Sequence, residues 1–222
     1  MIHTFEAAGE QVRIPFARFE LAGTLNIPEG STGVVLFAHG SGSSRHSPRN
    51  HFVAGVLRGR GLGTLLFDLL TAREEQKDSY TAHFRFDIEL LSERLLGAAR
   101  WLLSRHGSLR IGYFGSSTGA AAALTAAAQP DPPVAAIVSR GGRPDLAGRA
   151  LALVTAPTLL IVGGEDTVVI EMNREAYRQL QCPKQLKLIP GATHLFEEAG
   201  ALEQAANLAA DWFGHYLLSP AA

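Results

Sequence analysis

The sequence predicts an open α/β sheet in which mostly parallel strands alternate with helices. Six short apolar runs are continuous rather than alternating, which is typical of strands buried on both faces of a parallel sheet; they cover residues 34–38, 64–67, 109–114, 134–139, 158–162 and 185–189. Segments with the spacing of amphipathic helices lie between most of these runs. This repeated alternation predicts right-handed crossovers and helices on both faces of the sheet.

Two strands that precede the parallel part are predicted to pair antiparallel. Val12, Ile14 and Phe16 alternate with polar residues, and a second apolar set begins at Phe19 after a short break. Alternation followed by a short connection is typical of a hairpin. Together with the six continuous runs, the pair gives an expected total of eight strands.

Five helices are predicted between and after the strands. Apolar side chains recur every three or four residues in four of them: a short helix around 52–57, a long one over 83–106, and two more over 168–180 and 202–217. The fifth, over 118–129, is rich in alanine and therefore has high helix propensity. The charged stretch 73–78 follows the strand that ends near Asp68, and it is interpreted as a solvated loop.

Length and composition favour a globular protein with a single domain over residues 1–222. The chain has 46% hydrophobic residues, and its 20 Lys and Arg against 21 Asp and Glu give a formal charge of −1. This balance argues against nucleic acid as the main partner, because phosphate neutralisation needs clustered cations. No stretch approaches the length of a membrane span, and residues 1–16 lack the apolar segment of a secretory signal, so we expect a cytoplasmic protein without a membrane partner.

The residue types also bear on metals and cofactors. The lone Cys182 excludes an internal disulfide and a zinc site built on several cysteines. The histidines lack the spacing of common metal motifs, and the glycines do not form a P-loop. We therefore expect no metal and no cofactor, a small-molecule substrate, and either a monomer or a homodimer.

The most informative motif follows the apolar run 109–114 and reads Gly115-Ser116-Ser117-Thr118-Gly119. It has the G-x-S-x-G pattern of a nucleophile elbow, in which a serine sits in a sharp turn between a strand and a helix. The run before it and the alanine-rich segment after it supply that context. Ser117 is therefore the candidate nucleophile, and Ser116, one place off the centre, is the weaker alternative.

A serine nucleophile needs a base, and the base needs a carboxylate that orients it. The run 158–162 leads to Asp166, and the run 185–189 leads to His194. Ligands bind beyond the carboxyl ends of parallel strands, so these side chains are expected to meet Ser117 at one edge of the sheet. Glu165 and Asp145 remain alternatives to Asp166 as the orienting carboxylate.

With these motifs the chain resembles the α/β-hydrolases, and within them the dienelactone hydrolase-like branch. The order of nucleophile, carboxylate and histidine is that of the family. The resemblance covers nearly the whole chain through four motifs: His39-Gly40-Ser41-Gly42-Ser43-Ser44, Gly115-Ser116-Ser117-Thr118-Gly119, Gly164-Glu165-Asp166 and Gly191-Ala192-Thr193-His194. It implies the α/β-hydrolase fold, with a mostly parallel eight-stranded sheet, an N-terminal antiparallel strand pair and helices on both faces. A separate cap domain is not expected, since only seventeen residues separate Ser139 from Pro157.

The resemblance also implies a chemistry. Such enzymes place an oxyanion-hole amide after the first parallel strand, so the backbone N–H groups of Ser41 and Thr118 are the expected donors. Dienelactone hydrolases use a cysteine nucleophile, whereas this chain has Ser117, which favours ordinary carboxylic esters. The short segments after Ser139 and Asp68 predict an open site suited to small acyl groups. Hydrolysis of lactones or thioesters, acyl transfer by the same triad, and a binding module that has lost activity remain alternatives.

Four residues are candidate substrate contacts: His39, Gly40, Arg45 and Arg140. His39 is also expected to support the Ser41 loop. Two pairs of arginines border the predicted cleft: Arg45 with Arg49, and Arg140 with Arg143. Either these arginines recognise an acidic group of the substrate, or they form structural ion pairs with Asp68 or Asp145, and the sequence leaves both interpretations open.

Overall fold

The computed structural model describes residues 9–218, and these contain one eight-stranded sheet with the strand order β1-β2-β4-β3-β5-β6-β7-β8. The strands are β1 (Glu10–Phe16), β2 (Phe19–Asn26), β3 (Gly33–Ala38), β4 (Gly63–Phe67), β5 (Arg110–Ser116), β6 (Val134–Arg140), β7 (Thr158–Gly163) and β8 (Lys184–Ile189). β1 pairs antiparallel with β2, and β2 pairs antiparallel with β4. The pairs from β4 through β3 to β8 are parallel. The predicted fold class is therefore confirmed; residues 1–8, part of the stretch read for a signal, lie outside the described residues.

The described part of the chain has six α-helices around the sheet: α1 (Pro48–Gly59), α2 (Ala72–Thr81), α3 (Ile88–Arg105), α4 (Thr118–Ala127), α5 (Thr167–Gln179) and α6 (Ala201–Phe213). α3 and α4 bury their apolar sides against one face of the sheet, and α1 and α6 bury theirs against the other. Among residues 9–218, no helix has the length and apolarity needed to cross a membrane.

The strand β5 shows why the apolar runs are continuous. Tyr113 points into the layer formed with α3 and α4, while its neighbour Phe114 points into the layer formed with α1 and α6. Both side chains are buried. Since each face of the sheet is covered by helices, every position of the strand selects an apolar residue, and the alternation typical of a half-exposed strand is lost.

The interpretation of residues 73–78 as a solvated loop is wrong. They belong to α2, which begins with a capping box: the Thr71 side chain accepts from the Glu74 N–H, and Glu74 accepts from the Thr71 N–H. Near its end, Asp78 is buried and accepts the backbone N–H of Phe84 at 2.6 Å and that of Arg85 at 3.1 Å. The carboxylates of Glu74 and Asp78 therefore stabilise the start of α2 and the turn that follows its end.

Two predicted helix boundaries also change. The long helix expected over 83–106 begins at Ile88, because Asp87 caps it by accepting the Leu90 N–H at 3.0 Å. Phe84 lies outside it, in a separate 3-10 turn over Phe84–Phe86. The last helix ends at Phe213 and continues as one π-helical turn over Gly214–Leu218.

Candidate active site

Ser117 stands in the sharp turn between β5 and α4, with φ 50° and ψ −124°. Residues other than glycine rarely adopt this backbone conformation, and residues strained in this way concentrate at functional sites. The glycines on either side make the turn possible, since a Cβ at Gly115 would lie 2.4 Å from the Cα of Ala120, and a Cβ at Gly119 would lie 2.1 Å from the Ala38 carbonyl oxygen. The local structure is thus the elbow that the motif predicts. Ser116, the alternative, is the last residue of β5 and is buried.

His194 pairs with Asp166: the imidazole Nδ1 lies 2.6 Å from the carboxylate Oδ2. The Asp166 side chain is 15% exposed and that of His194 is 40% exposed, so the carboxylate lies inside and the imidazole reaches the surface. The two alternative carboxylates are placed elsewhere, with Glu165 exposed and Asp145 bound to Arg143. The pairing leaves the other ring nitrogen of His194, Nε2, free to accept a proton.

The loop after β6 connects the serine to this pair. The Arg143 N–H donates to the carbonyl oxygen of Ser117 at 3.0 Å. A Cβ added to Gly141 would lie 3.1 Å from the His194 carbonyl oxygen and 3.8 Å from its Cε1. Within residues 9–218, no hydrogen bond joins the Ser117 hydroxyl to His194. Such bonds are often long in the absence of substrate and shorten in the reacting complex.

The two expected oxyanion donors lie next to each other. The Ser41 N–H donates to the Thr118 hydroxyl oxygen at 3.0 Å. One of the two expected oxyanion donors is therefore already hydrogen-bonded to the side chain of the other. A Cβ at Gly40 would lie 2.9 Å from the Cβ of Ser117, which explains why the segment between β3 and α1 can approach the nucleophile so closely.

His39 supports this segment through both of its ring nitrogens. Nε2 accepts the Leu69 N–H at 3.0 Å, and Nδ1 lies 3.1 Å from the Gly40 carbonyl oxygen. Since Nε2 accepts, the neutral ring carries its proton on Nδ1 and donates it to Gly40. Burial lowers the pKa of His39, which keeps the ring uncharged. The structure thus gives His39 the supporting role that was expected.

A cavity of about 170 Å³ opens beside the oxyanion segment. Its walls combine apolar side chains of Leu69, Leu70 and Leu91 with polar groups of the two oxyanion residues and of α2. This volume suits a small substituent, since pockets for larger ligands run from about 300 Å³ upward. The part of the wall supplied by α2 was missed by sequence reasoning, although the capping pattern Thr71-x-x-Glu74 indicates a helix start.

Of the four arginines that the sequence places at the border of the cleft, three are paired with carboxylates. Arg45 binds Asp68 through its side chain and, at 2.8 Å, through its backbone N–H. The remaining two pairs are Arg143 with Asp145 at 2.8 Å and Arg49 with Glu197 at 3.1 Å. Arg45, Arg49 and Arg143 therefore form ion pairs within the protein. Arg140, by contrast, is buried and paired with no carboxylate of the described chain.

The described residues contain no group of three or more His, Cys, Asp or Glu side chains arranged to hold a metal ion. The thiol of Cys182 is buried in the core and lies 3.6 Å from the Thr158 hydroxyl.

Two solved structures resemble the fold of this chain. A dienelactone hydrolase from Anabaena variabilis is 57% identical and superposes with a TM-score of 0.91, over 95% of this chain and 99% of that one. A lidless α/β serine hydrolase from Xanthomonas campestris, XC6422, is 19% identical with a TM-score of 0.76, over 98% of this chain and 99% of that one. The second likeness concerns the fold alone.

Sequence comparisons give two relatives and one family model. Two Mycobacterium tuberculosis proteins, from strains CDC 1551 / Oshkosh and ATCC 25618 / H37Rv, are each 55% identical over 95% of this chain. Both are provisionally named phosphoribosyl transferases, and this chain spans 47% of their length. The family model described as the dienelactone hydrolase family matches residues 29–217. The chain therefore belongs to the dienelactone hydrolase family, and its fold is that of the α/β-hydrolases.

Proposed function

We propose that the protein is a serine hydrolase that cleaves carboxylic esters with small acyl groups through an acyl-enzyme. The observation that supports this most directly is the 2.6 Å contact between His194 and Asp166, at the same sheet edge as the strained Ser117. A carboxylate that fixes the tautomer of a histidine is the arrangement by which a serine hydroxyl is activated. The family and the 57% identical dienelactone hydrolase point to a hydrolase in general, and the ester substrate is our inference.

Each residue of the site has a separate role in the proposed reaction. The Nε2 of His194 takes the proton of Ser117 while the hydroxyl oxygen attacks the ester carbonyl, and Asp166 stabilises the imidazolium that forms. The N–H groups of Ser41 and Thr118 stabilise the oxyanion, each by about 3 kcal/mol. For this step the Ser41 amide exchanges the neutral Thr118 hydroxyl for a charged acceptor, which forms the stronger hydrogen bond. The alcohol leaves with the proton from His194, and water then releases the acid.

The name of the Mycobacterium tuberculosis relatives suggests phosphoribosyl transfer as a second activity. Those proteins are about twice as long as the region matched here, because this chain spans 47% of their length. The site described above activates a hydroxyl for attack on a carbonyl group, so we assign the transferase name to the unmatched part of those proteins. Incubation of this chain with phosphoribosyl diphosphate and a nucleobase is expected to release no diphosphate, and release would contradict this assignment.

Hydrolysis of para-nitrophenyl acetate tests the proposed function. Ser117→Ala is expected to reduce kcat by at least about a thousandfold, since the covalent step is lost. Ser116→Ala, at the buried neighbour, serves as the matched control and should keep activity within about threefold of wild type. Equal activity of Ser117→Ala and wild type would refute the assignment.

Two further measurements separate the alternatives. Labelling by a fluorophosphonate, located by peptide mass spectrometry, is expected on Ser117, and a folded protein that resists labelling would support an inactive binding module. A panel of esters, lactones and thioesters of equal acyl length then identifies the acyl donor; esters are expected to react fastest, and faster turnover of a lactone or thioester would correct the substrate class.

A further inference from the structure

Arg140 carries a buried positive charge that the described protein does not neutralise. The residue is the last of β6 and is only 8% exposed. Its Nε and Nη1 atoms meet no hydrogen-bond partner among residues 9–218, and no ion pair joins it to a carboxylate there. Buried guanidinium groups are normally paired and hydrogen-bonded, because removing a charge from water without compensation is costly.

The surroundings of Arg140 do not compensate for this cost. Its guanidinium carbon lies 5.6 Å from the ring centre of Phe196 and 6.0 Å from that of Phe114, at the outer limit of a cation–π contact. Burial and, secondly, the positive charge of Arg49 lower the pKa of Arg140 to about 10. The group therefore stays charged at neutral pH, and the charge that most affects it has the same sign.

This unpaired charge distinguishes Arg140 from the other arginines around the site. The other arginines around the site have carboxylate partners, and the partner of Arg49, Glu197, has a side chain that is 66% exposed. Arg49 itself is 38% exposed. A carboxylate this exposed exchanges readily for another anion, because a surface ion pair contributes little stability.

The position of Arg140 links it to the reacting residues. It lies beside Ser116 in the pairing of β5 with β6, one residue before the Ser117 elbow. Gly141, the next residue, packs against His194, and Phe196 follows His194 by two positions. Phe196 itself has a left-handed backbone conformation, with φ 57°, which is strained for a residue with so large a side chain. The loop that carries the base therefore contacts Gly141 and brings the Phe196 ring to within 5.6 Å of the guanidinium carbon of Arg140.

We propose that Arg140 is an anion-binding subsite of the catalytic centre and that the preferred substrates are esters carrying a negatively charged group. The anion completes the hydrogen bonds that Arg140 lacks, and Arg49 adds a second cation at the rim. A carboxylate and a phosphate share this chemistry, since both present oxygens to guanidinium N–H groups. The proposal rests on the proposed ester hydrolysis for its substrate, but the anion site itself can be tested without turnover.

Kinetics on two esters of similar shape test the subsite. Para-nitrophenyl hemisuccinate carries a carboxylate, and para-nitrophenyl isocaproate replaces that group by an uncharged isopropyl group. Arg140→Met is expected to lower kcat/KM for the hemisuccinate at least about tenfold and to leave the isocaproate within about twofold. Arg60→Met, which removes an exposed arginine paired with Asp211, is the control and should change neither. Equal losses on both esters, or no loss on the hemisuccinate, would overturn the proposal.

Binding without turnover supplies the second test. In the Ser117→Ala protein, succinate or inorganic phosphate should raise the Tm above that in sodium chloride of equal ionic strength, and the more effective anion identifies the charged group. The rise should disappear when Arg140→Met is added, while the ligand-free Tm stays equal or increases because an unpaired buried charge is gone. If Arg140→Met does not fold, Arg140→Lys replaces it and should weaken the rise. The absence of any rise refutes the subsite, whereas a rise in Ser117→Ala combined with a wild-type protein that hydrolyses no ester refutes only the proposed function.

Discussion

At the scale of single residues, the elbow depends on the absence of a side chain at position 119. An added Cβ would lie 2.1 Å from the Ala38 carbonyl oxygen, and this oxygen belongs to the backbone of β3. A flexible side chain could move aside, but a strand in a close-packed sheet cannot do so without disturbing its neighbours. The geometry of Ser117 and the position of the oxyanion segment therefore depend on the same contact.

This contact predicts the effect of Gly119→Ala. We expect the free energy of unfolding to fall by about 2 to 3 kcal/mol, as in other overpacked sites, and ester hydrolysis to fall with it because the elbow is displaced. Gly55→Ala is the control: it lies in α1, the nearest atom to its added Cβ is 3.9 Å away, and the change should raise stability by up to about 1 kcal/mol. Urea denaturation measures both variants, and a Gly119→Ala protein as stable as wild type would contradict the packing.

His39 makes the stability of the protein depend on pH. Burial lowers its pKa, outweighing the Gly40 carbonyl and the charges of Asp68 and Glu75, which raise it. In the unfolded chain the pKa has its ordinary value of 6.5. As the pH falls below that value, the unfolded chain binds a proton that the folded protein excludes, so stability is full above this pH and is lost on acidification.

His39→Gln isolates this contribution, because glutamine can still accept the Leu69 N–H but does not titrate. Between about pH 7.5 and about pH 5.5, we expect the variant to lose up to about 1 kcal/mol less free energy of unfolding than wild type. Urea denaturation at the two pH values gives this difference directly, since the contributions of the other histidines cancel. Identical losses would show that the folded protein binds the proton at His39.

At the scale of elements, the strands and the pairing of His194 with Asp166 could be predicted because each leaves a local signal. Each proposed triad residue follows an apolar run within a few positions, and parallel strands bring their carboxyl ends to one edge. α2 was missed because its sequence has no apolar period, and its helix depends on a cap and on the buried Asp78. The isolation of Arg140 could not be predicted, since it depends on rings from β5 and from the loop before α6, which meet only in the folded chain.

The cap of α2 can be tested through the cavity that this helix lines. Thr71→Ala removes the side chain that accepts the Glu74 N–H and should destabilise the helix start by about 1 kcal/mol. α2 lines the cavity but contains none of the proposed catalytic residues. We therefore expect KM for para-nitrophenyl acetate to rise with little change in kcat. Hydrogen exchange should quicken in α2 first. Ser104→Ala, on the exposed side of α3, is the control, and a loss confined to kcat would contradict this role.

At the scale of the whole molecule, one sheet separates two apolar layers. Each layer contains one of the two tryptophans of the chain: Trp101 on α3 and Trp212 on α6. The strands contribute alternate side chains to both layers, as β5 does with Tyr113 and Phe114. A strand cannot lose its contacts on one face and keep its position on the other, so we expect residues 9–218 to unfold as one domain.

A core substitution in one layer, read from the tryptophan of the other, tests this expectation. Leu95 is fully buried in the layer of α3, and Leu95→Ala should lower the free energy of unfolding by about 2 to 5 kcal/mol. In a Trp101→Phe background, tryptophan-selective excitation reports on Trp212 alone. Its transition should shift by the same amount as the circular dichroism of the whole chain, because coincident transitions are the mark of cooperative unfolding. Phe213→Leu in the other layer, read from Trp101 in a Trp212→Phe background, is the reciprocal variant. If the signal of Trp212 kept its wild-type midpoint in Leu95→Ala, the two layers would be separate folding units, and the single-domain description would have to be abandoned.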